Sequence, residues 1–235
     1  MASMALINQY AKSLFALPPL ARLAALCISV LSLASLPAQA AENNLPPQHQ
    51  NRTLNFVIYK DGDPIGTEQY RIETAGADTR VNVHTQTKVR MLFLSFTYAH
   101  SRQEQWRDGR LMEMRAQTDD DGTPHTLHLT HAPAGYRLHV DGKSTDLPET
   151  YSPLTLWSEA IVRHPVVLSI IDGTPWHVTA SAATPATLTH GNTTLATRHY
   201  TLKGDIQRDL WYDSAGLLAK VQFRKKGFNI TYLRQ

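Results

Sequence analysis

The chain has 235 residues, of which 42% are hydrophobic, so it is long enough to bury a substantial core, and its formal charge is +3. Both basic residues of positions 1–40, Lys12 and Arg22, precede or open an apolar run; without that segment the remainder holds 21 basic against 20 acidic residues. So near-neutral a balance gives no electrostatic case for a nucleic-acid partner.

The apolar run from Leu23 to Leu36, followed by Pro37 and the small-residue site Ala38-Gln39-Ala40, has the order of a secretory signal. It is shorter than the roughly 20 residues that a membrane-crossing helix needs. Cleavage after Ala40, export to the periplasm and no transmembrane anchor are the expectations. The single cysteine, Cys27, lies inside this run behind Leu26, which does not suit lipid attachment. Its removal would leave no thiol for disulfides or for a cysteine-ligated metal. Residues 41–52, with Pro46, Pro47 and many amides, are expected to form a flexible leader, and residues 53–235 one domain.

From Leu54 the chain becomes a series of short runs rich in β-formers. Leu54, Phe56 and Ile58 alternate with Asn55, Val57 and Tyr59, and further strands are predicted near 67–74, 80–89, 97–107, 110–118, 125–131 and 136–140. Asp108-Gly109, Asp121-Gly122 and Asp141-Gly142 supply the positive φ angles that two-residue hairpin turns demand. Between Pro148 and Pro165 the period changes. Leu154, Trp157 and Ile161 share a helical face, which predicts a helix of two or three turns over about 152–164. Strands resume at 166–171, 176–180, 194–202, 208–212, 218–224 and 229–233. The expected fold is mainly β: a curved antiparallel sheet, half-barrel or barrel-like, with one short helix packed on it.

Several residue sets carry candidate chemistry. His125, His128 and His131 cannot share an ion on a strand, because His128 faces away from the other two. Asp119, Asp120 and Asp121 lack the alternate spacing of a calcium loop and read as a charged turn. No Gly-x-Ser-x-Gly elbow and no His-Glu-x-x-His is present, and neither a metal nor a cofactor is expected. His100, Arg102 and Glu104 share one strand face with Trp106; they read either as an anion-binding or proton-transfer row, or as a polar outer face with cross-strand ion pairs. The run Met91 to Phe96 does not alternate, which predicts cover on both faces. Met91, Phe93 and Phe96, met by Leu154, Trp157 and Ile161, are the candidate lining of an apolar cavity, with core packing as the alternative.

The opening Phe56-Val57-Ile58-Tyr59-Lys60-Asp61-Gly62-Asp63-Pro64-Ile65-Gly66, then Tyr98-Ala99-His100, Trp106-Arg107-Asp108-Gly109, Thr118-Asp119-Asp120-Asp121-Gly122 and Asp209-Leu210-Trp211-Tyr212-Asp213, resemble in order a family of exported bacterial proteins, domain of unknown function 6134. The hairpin from Trp211 to Leu218 is also similar to the closing hairpins of periplasmic lipid-carrier half-barrels, in which a curved sheet wraps a helix over an apolar cavity. The resemblance brings no established catalytic residues. Three functions are consistent with these residues: a non-enzymatic carrier for a lipid-like ligand, a structural or partner-binding envelope protein with a filled core, and, third, an unidentified hydrolase-type enzyme. An enclosed apolar void between helix and sheet would separate the first two.

Overall fold

The computed structural model describes residues 49–91 and 94–235. Sixteen strands follow one another among the described residues. They are β1 (His49–Lys60), β2 (Asp63–Ala75), β3 (Asp78–Met91), β4 (Leu94–Arg107), β5 (Arg110–Asp120), β6 (Thr123–Ala132), β7 (Gly135–Val140), β8 (Lys143–Leu147), β9 (Tyr151–Pro153), β10 (Val166–Leu168), β11 (Pro175–Ala180), β12 (Thr184–His190), β13 (Thr193–Gly204), β14 (Arg208–Tyr212), β15 (Leu218–Lys225) and β16 (Phe228–Arg234). β1 begins inside the stretch expected as leader. The expected signal, residues 1–40, lies outside the described residues.

β1 to β8 form an uninterrupted antiparallel meander, and β16 pairs with the free side of β1, so that the sheet runs on through β15, β14, β13, β11, β10 and β9. The result is a nearly closed barrel of mainly antiparallel strands whose two ends are β8 and β9. β9 and β10 are the parallel exception. Among the described residues no helix is long and apolar enough to cross a membrane.

The turns confirm the dipeptide reading. Asp61, Asp108, Asp121 and Asp141 have φ between 44° and 55°, each followed by a glycine at positive φ. Aspartate tolerates that region and glycine enters it freely, so each pair closes a two-residue hairpin with the twist its strands need.

Alternation then decides what lies inside. Leu54, Phe56 and Ile58 of β1, Tyr70 and Ile72 of β2, and Val81 and Val83 of β3 are all buried. One cluster packs these strands against β11, β13–β15 and the 154–161 segment; a second joins β5–β7 with Leu168. Trp106 and Ile170 touch both clusters. At roughly 1.5–3 kcal/mol for each large apolar side chain removed from water, this filled interior is the main driving force for the fold.

The predicted helix is shortened to a 3-10 turn, Glu159–Arg163. Its flanks are held extended by pairing. Leu154 N donates to Leu168 O at 2.8 Å, Leu218 N to Trp157 O at 3.2 Å, and Glu159 N to Gly216 O at 2.9 Å. Ser158 caps the turn by accepting from Ala160 N at 3.3 Å. The apolar stripe is real: Leu154 and Ile161 are buried and Trp157 is half-buried. An extended segment leading into a short turn puts the same three side chains inward.

Of the run Met91 to Phe96, the correction concerns the Phe96 end. Met91 and Leu94 pair across the end of the β3–β4 hairpin, Leu92 and Phe93 lie outside the described residues, and Phe96 is 43% exposed. Phe96 is thus an exposed strand residue near a hairpin end, neither core nor cavity wall. The ten residues separating it from Trp106 place it about 33 Å along β4 from the end where Trp157 packs.

Candidate functional site

From Tyr98 to Trp106 the even-numbered residues of β4 face the barrel interior, and the three at its middle are polar or charged. His100, Arg102 and Glu104 are 4%, 3% and 1% exposed. Their cross-strand neighbours explain the seclusion: Val83 and Ala116 flank Arg102, while Val81 and Met114 flank Glu104. The polar outer-face reading of this row is therefore overturned. A strand carrying charge on its inner face looks the same in sequence as one carrying it outside, because only the flanking strands decide which face is covered.

Glu104 is saturated with donors. One oxygen accepts from Arg102 Nε at 2.6 Å and from the Thr155 hydroxyl at 2.7 Å. The other accepts from Trp106 Nε1 at 2.8 Å and Trp157 Nε1 at 3.0 Å. The two indoles meet edge to face, 6.1 Å apart at 78°. Thr155 and Trp157 belong to the connection between β9 and β10, so Glu104 ties that connection to the Trp106 end of β4. A carboxylate removed from water needs such partners, since an isolated buried charge costs several kcal/mol.

Arg102 extends the network. Besides Glu104 it donates Nη1 to His100 Nε2 at 3.1 Å and Nη2 to Thr155 at 3.4 Å. Burial is the largest single influence and acts to lower its pKa, but the Glu104 charge and hydrogen bond, together with Tyr70 and Glu68, outweigh it, and the guanidinium is held above its ordinary value. Because Arg102 can only donate, His100 Nε2 must accept; the proton therefore sits on Nδ1, which donates to Thr118 Oγ1 at 2.8 Å. Burial, and then the Arg102 charge, push the His100 pKa down to about 3, so the imidazole is neutral.

A polar rank crosses the wall at this level: Glu68, Thr85, His100 and Thr118 are successive cross-strand partners. Thr85 donates to Glu68 at 2.7 Å. Burial raises the Glu68 pKa despite the nearby Tyr70 and Thr85 hydroxyls and the Arg102 charge.

Proton transfer needs a free lone pair and access for a substrate. Both oxygens of Glu104 and both ring nitrogens of His100 are engaged by protein, so the row acts as a brace. Of the six apolar candidates, Leu154 and Ile161 enter the core, Trp157 joins Glu104, and Phe96 is exposed. The side chains of Met91 and Phe93 lie outside the described residues. Sequence reasoning missed Thr155 altogether, and it named Trp106 and Trp157 without foreseeing that both indoles donate to Glu104. The signal for Trp106 was present in its even spacing from Glu104; Thr155 and Trp157 are 51 and 53 residues further on.

A second carboxylate holds the other end of the same connection. Glu159 receives Arg198 through Nε at 2.7 Å and Nη2 at 2.5 Å, and the Tyr200 hydroxyl at 2.6 Å. The three histidines of β6 are divided among different acids: His125 lies 3.0 Å from Asp141, His128 2.7 Å from Glu113, and His131 3.9 Å from Glu149.

Two open recesses mark the surface. One of about 400 Å³ lies along β2–β5 and includes Ile65, Gln86, Lys88 and Asp119; the other, of about 260 Å³, lies between the β4–β5 turn and β9 and includes Trp106, Tyr136, Tyr151 and His164. Leu154, Trp157 and Ile161 line neither.

No curated protein matches the sequence. The fold is similar to the crystal structure of a β-barrel-like protein of domain of unknown function DUF1849 from Brucella abortus, with a TM-score of 0.57 and 8% identity over 80% of this chain and 97% of that one. That likeness concerns architecture alone. The family model of the domain of unknown function DUF6134 matches residues 56–235, the whole barrel from the middle of β1 to the C-terminus, and the chain belongs to that family.

Proposed function

We propose that this domain is a non-enzymatic binding protein of the bacterial envelope that meets its ligand or partner at the barrel surface, around a centre filled by its own side chains. The observation that carries this reading is the Glu104 brace. Arg102, Thr155, Trp106 and Trp157 occupy, with all polar atoms paired, the space between the connecting segment and the sheet where a carrier would need its cavity. A lipid-like molecule enclosed there would have to displace Trp157 and leave a buried carboxylate short of a donor, at a cost of several kcal/mol.

The signal-like order of residues 1–40 supports export and residence in the periplasm, with cleavage after Ala40. N-terminal sequencing of the protein from an envelope fraction, followed by native mass spectrometry, tests both halves. The expected result is a chain starting at Ala41 whose Trp157 fluorescence is unchanged by delipidation. A retained apolar segment in the membrane pellet would refute soluble export, and a tightly held lipid whose removal alters Trp157 would refute the filled centre.

A further inference from the structure

Among the described residues, four arginines are buried or half-buried: Arg102, Arg198, Arg208 and Arg234. Three of them face a carboxylate: Arg102 has Glu104, Arg198 has Glu159 and Arg234 has Asp213. Arg208 has none within ion-pair distance among the described residues.

Arg208 opens β14 on the same strand face as Leu210 and Tyr212, both fully buried, but as the first residue of the strand it is only half-buried and stays open to solvent. Its guanidinium carbon lies 3.9 Å over the Phe223 ring, and the Phe223 ring stacks on that of Tyr232 at 6.1 Å. A single hydrogen bond, from Nη1 to Gln207 O at 2.9 Å, leaves four of its five N–H donors without a protein acceptor among the described residues. Burial lowers the Arg208 pKa, with the neighbouring Tyr232 the only group acting against it. The Tyr232 phenol is itself held protonated by burial and by the nearby Glu68 and Tyr98, so it remains a donor. Ile206, Phe223 and Tyr232 are half-buried where they pack on the core, and they present apolar surface beside the charge.

A planar guanidinium clamped on an aromatic ring, with its fork free, is pre-organised for carboxylate or phosphate. We propose that Arg208 anchors a binding site for an oxyanion headgroup, a carboxylate or phosphate, carried on an apolar chain that lies across Phe223 and Tyr232. This deepens the reading of a barrel that binds away from its filled centre, and it rests on that reading.

The test is calorimetric titration of the purified protein with dodecyl phosphate below its micelle concentration, inorganic phosphate, and dodecyl maltoside. Dodecyl phosphate is expected to bind at least about tenfold tighter than inorganic phosphate, and Arg208→Gln to weaken it by about tenfold or more, the worth of a charge-assisted hydrogen bond. Arg208→Lys, which keeps the charge but loses the fork, should weaken it several-fold and serves if the glutamine variant does not fold. Lys220→Gln, a cation over Trp211 on the outer face, should leave binding unchanged. Equal affinity for the two phosphates would overturn the amphiphile in favour of a free oxyanion. Binding indifferent to Arg208, or no binding of either phosphate, would overturn the site while leaving the filled centre intact. A lipid enclosed behind Trp157 would do the reverse.

Discussion

The two carboxylates that hold the β9–β10 connection make a natural comparison. Glu104 and Glu159 each collect an arginine and further donors, yet the Glu104 side chain is 0% exposed and the Glu159 side chain 20%, and their arginines differ likewise, Arg102 at 2% and Arg198 at 38%. The deeper network is closed to water and accepts no substitute; the shallower one can exchange a lost partner for solvent. Similar bonding thus implies unequal consequences, because the penalty for an unpaired group scales with how little water can reach it.

The largest expected effect is at Glu104. Glu104→Gln leaves Arg102 buried without its counter-charge and replaces one acceptor oxygen by a donor facing an indole N–H. A loss of about 3–5 kcal/mol, typical of breaking a buried pair from one side, is expected in urea denaturation. A loss under about 1 kcal/mol would mean that water reaches the network, and the comparison with Glu159 would collapse.

His100 sharpens the same contrast through pH. Its folded pKa of about 3 lies below the ordinary 6.5. The unfolded chain therefore takes up the proton first as pH falls: the contribution is fully present above about pH 6.5 and is lost as the pH drops towards 3. The slope is about 1.4 kcal/mol per pH unit. Glu68 works in the opposite sense, its raised pKa adding stability as the pH falls. Comparing the wild type with His100→Gln isolates the histidine. Between pH 7.5 and 5 the wild type should lose about 2 kcal/mol more than the variant; equal losses would show an imidazole that protonates freely.

Glu159→Gln should cost less, about 1 kcal/mol, and the loss should shrink at high salt, because Arg198 is more than a third exposed and keeps its hydration. A cost matching that of Glu104→Gln would show that exposure does not set the scale.

The legible part of this molecule was local. Asp-Gly turns and period-two alternation marked β1 to β7, since both depend on residues within a few positions of one another. The connection between β9 and β10 was misread because Leu154, Trp157 and Ile161 fit a helical period, while the bonds that keep the segment extended come from Leu168, Gly216 and Leu218. The His100, Arg102 and Glu104 row was visible as a shared face, but which face depended on Val81, Val83, Met114 and Ala116 of the neighbouring strands. Arg208 gave no signal at all: an arginine without a partner is recognisable only once every acid has been placed.

The smallest expected effect concerns Tyr212, beside the Glu159 cluster. Its ring meets Tyr200 edge to face at 6.2 Å, and it is fully buried, yet its hydroxyl has no hydrogen-bond partner among the described residues. Burial, and then the charge of Glu159, raise its pKa well above the usual tyrosine value, so the group is a neutral phenol with an unused donor. Leaving such a group unpaired costs about 1–3 kcal/mol, whereas the ring itself contributes packing that phenylalanine preserves. Tyr212→Phe should therefore be neutral or stabilising, by up to about 1 kcal/mol, with an unchanged denaturant slope. That outcome would complete the comparison: at the shallow carboxylate the accessible Arg198 and Tyr200 take both oxygens, and the deeper hydroxyl is left out. A destabilisation of 1 kcal/mol or more would instead show that the hydroxyl is satisfied by a trapped water, and the Glu159 cluster would then reach as deep into the barrel wall as the Glu104 brace does.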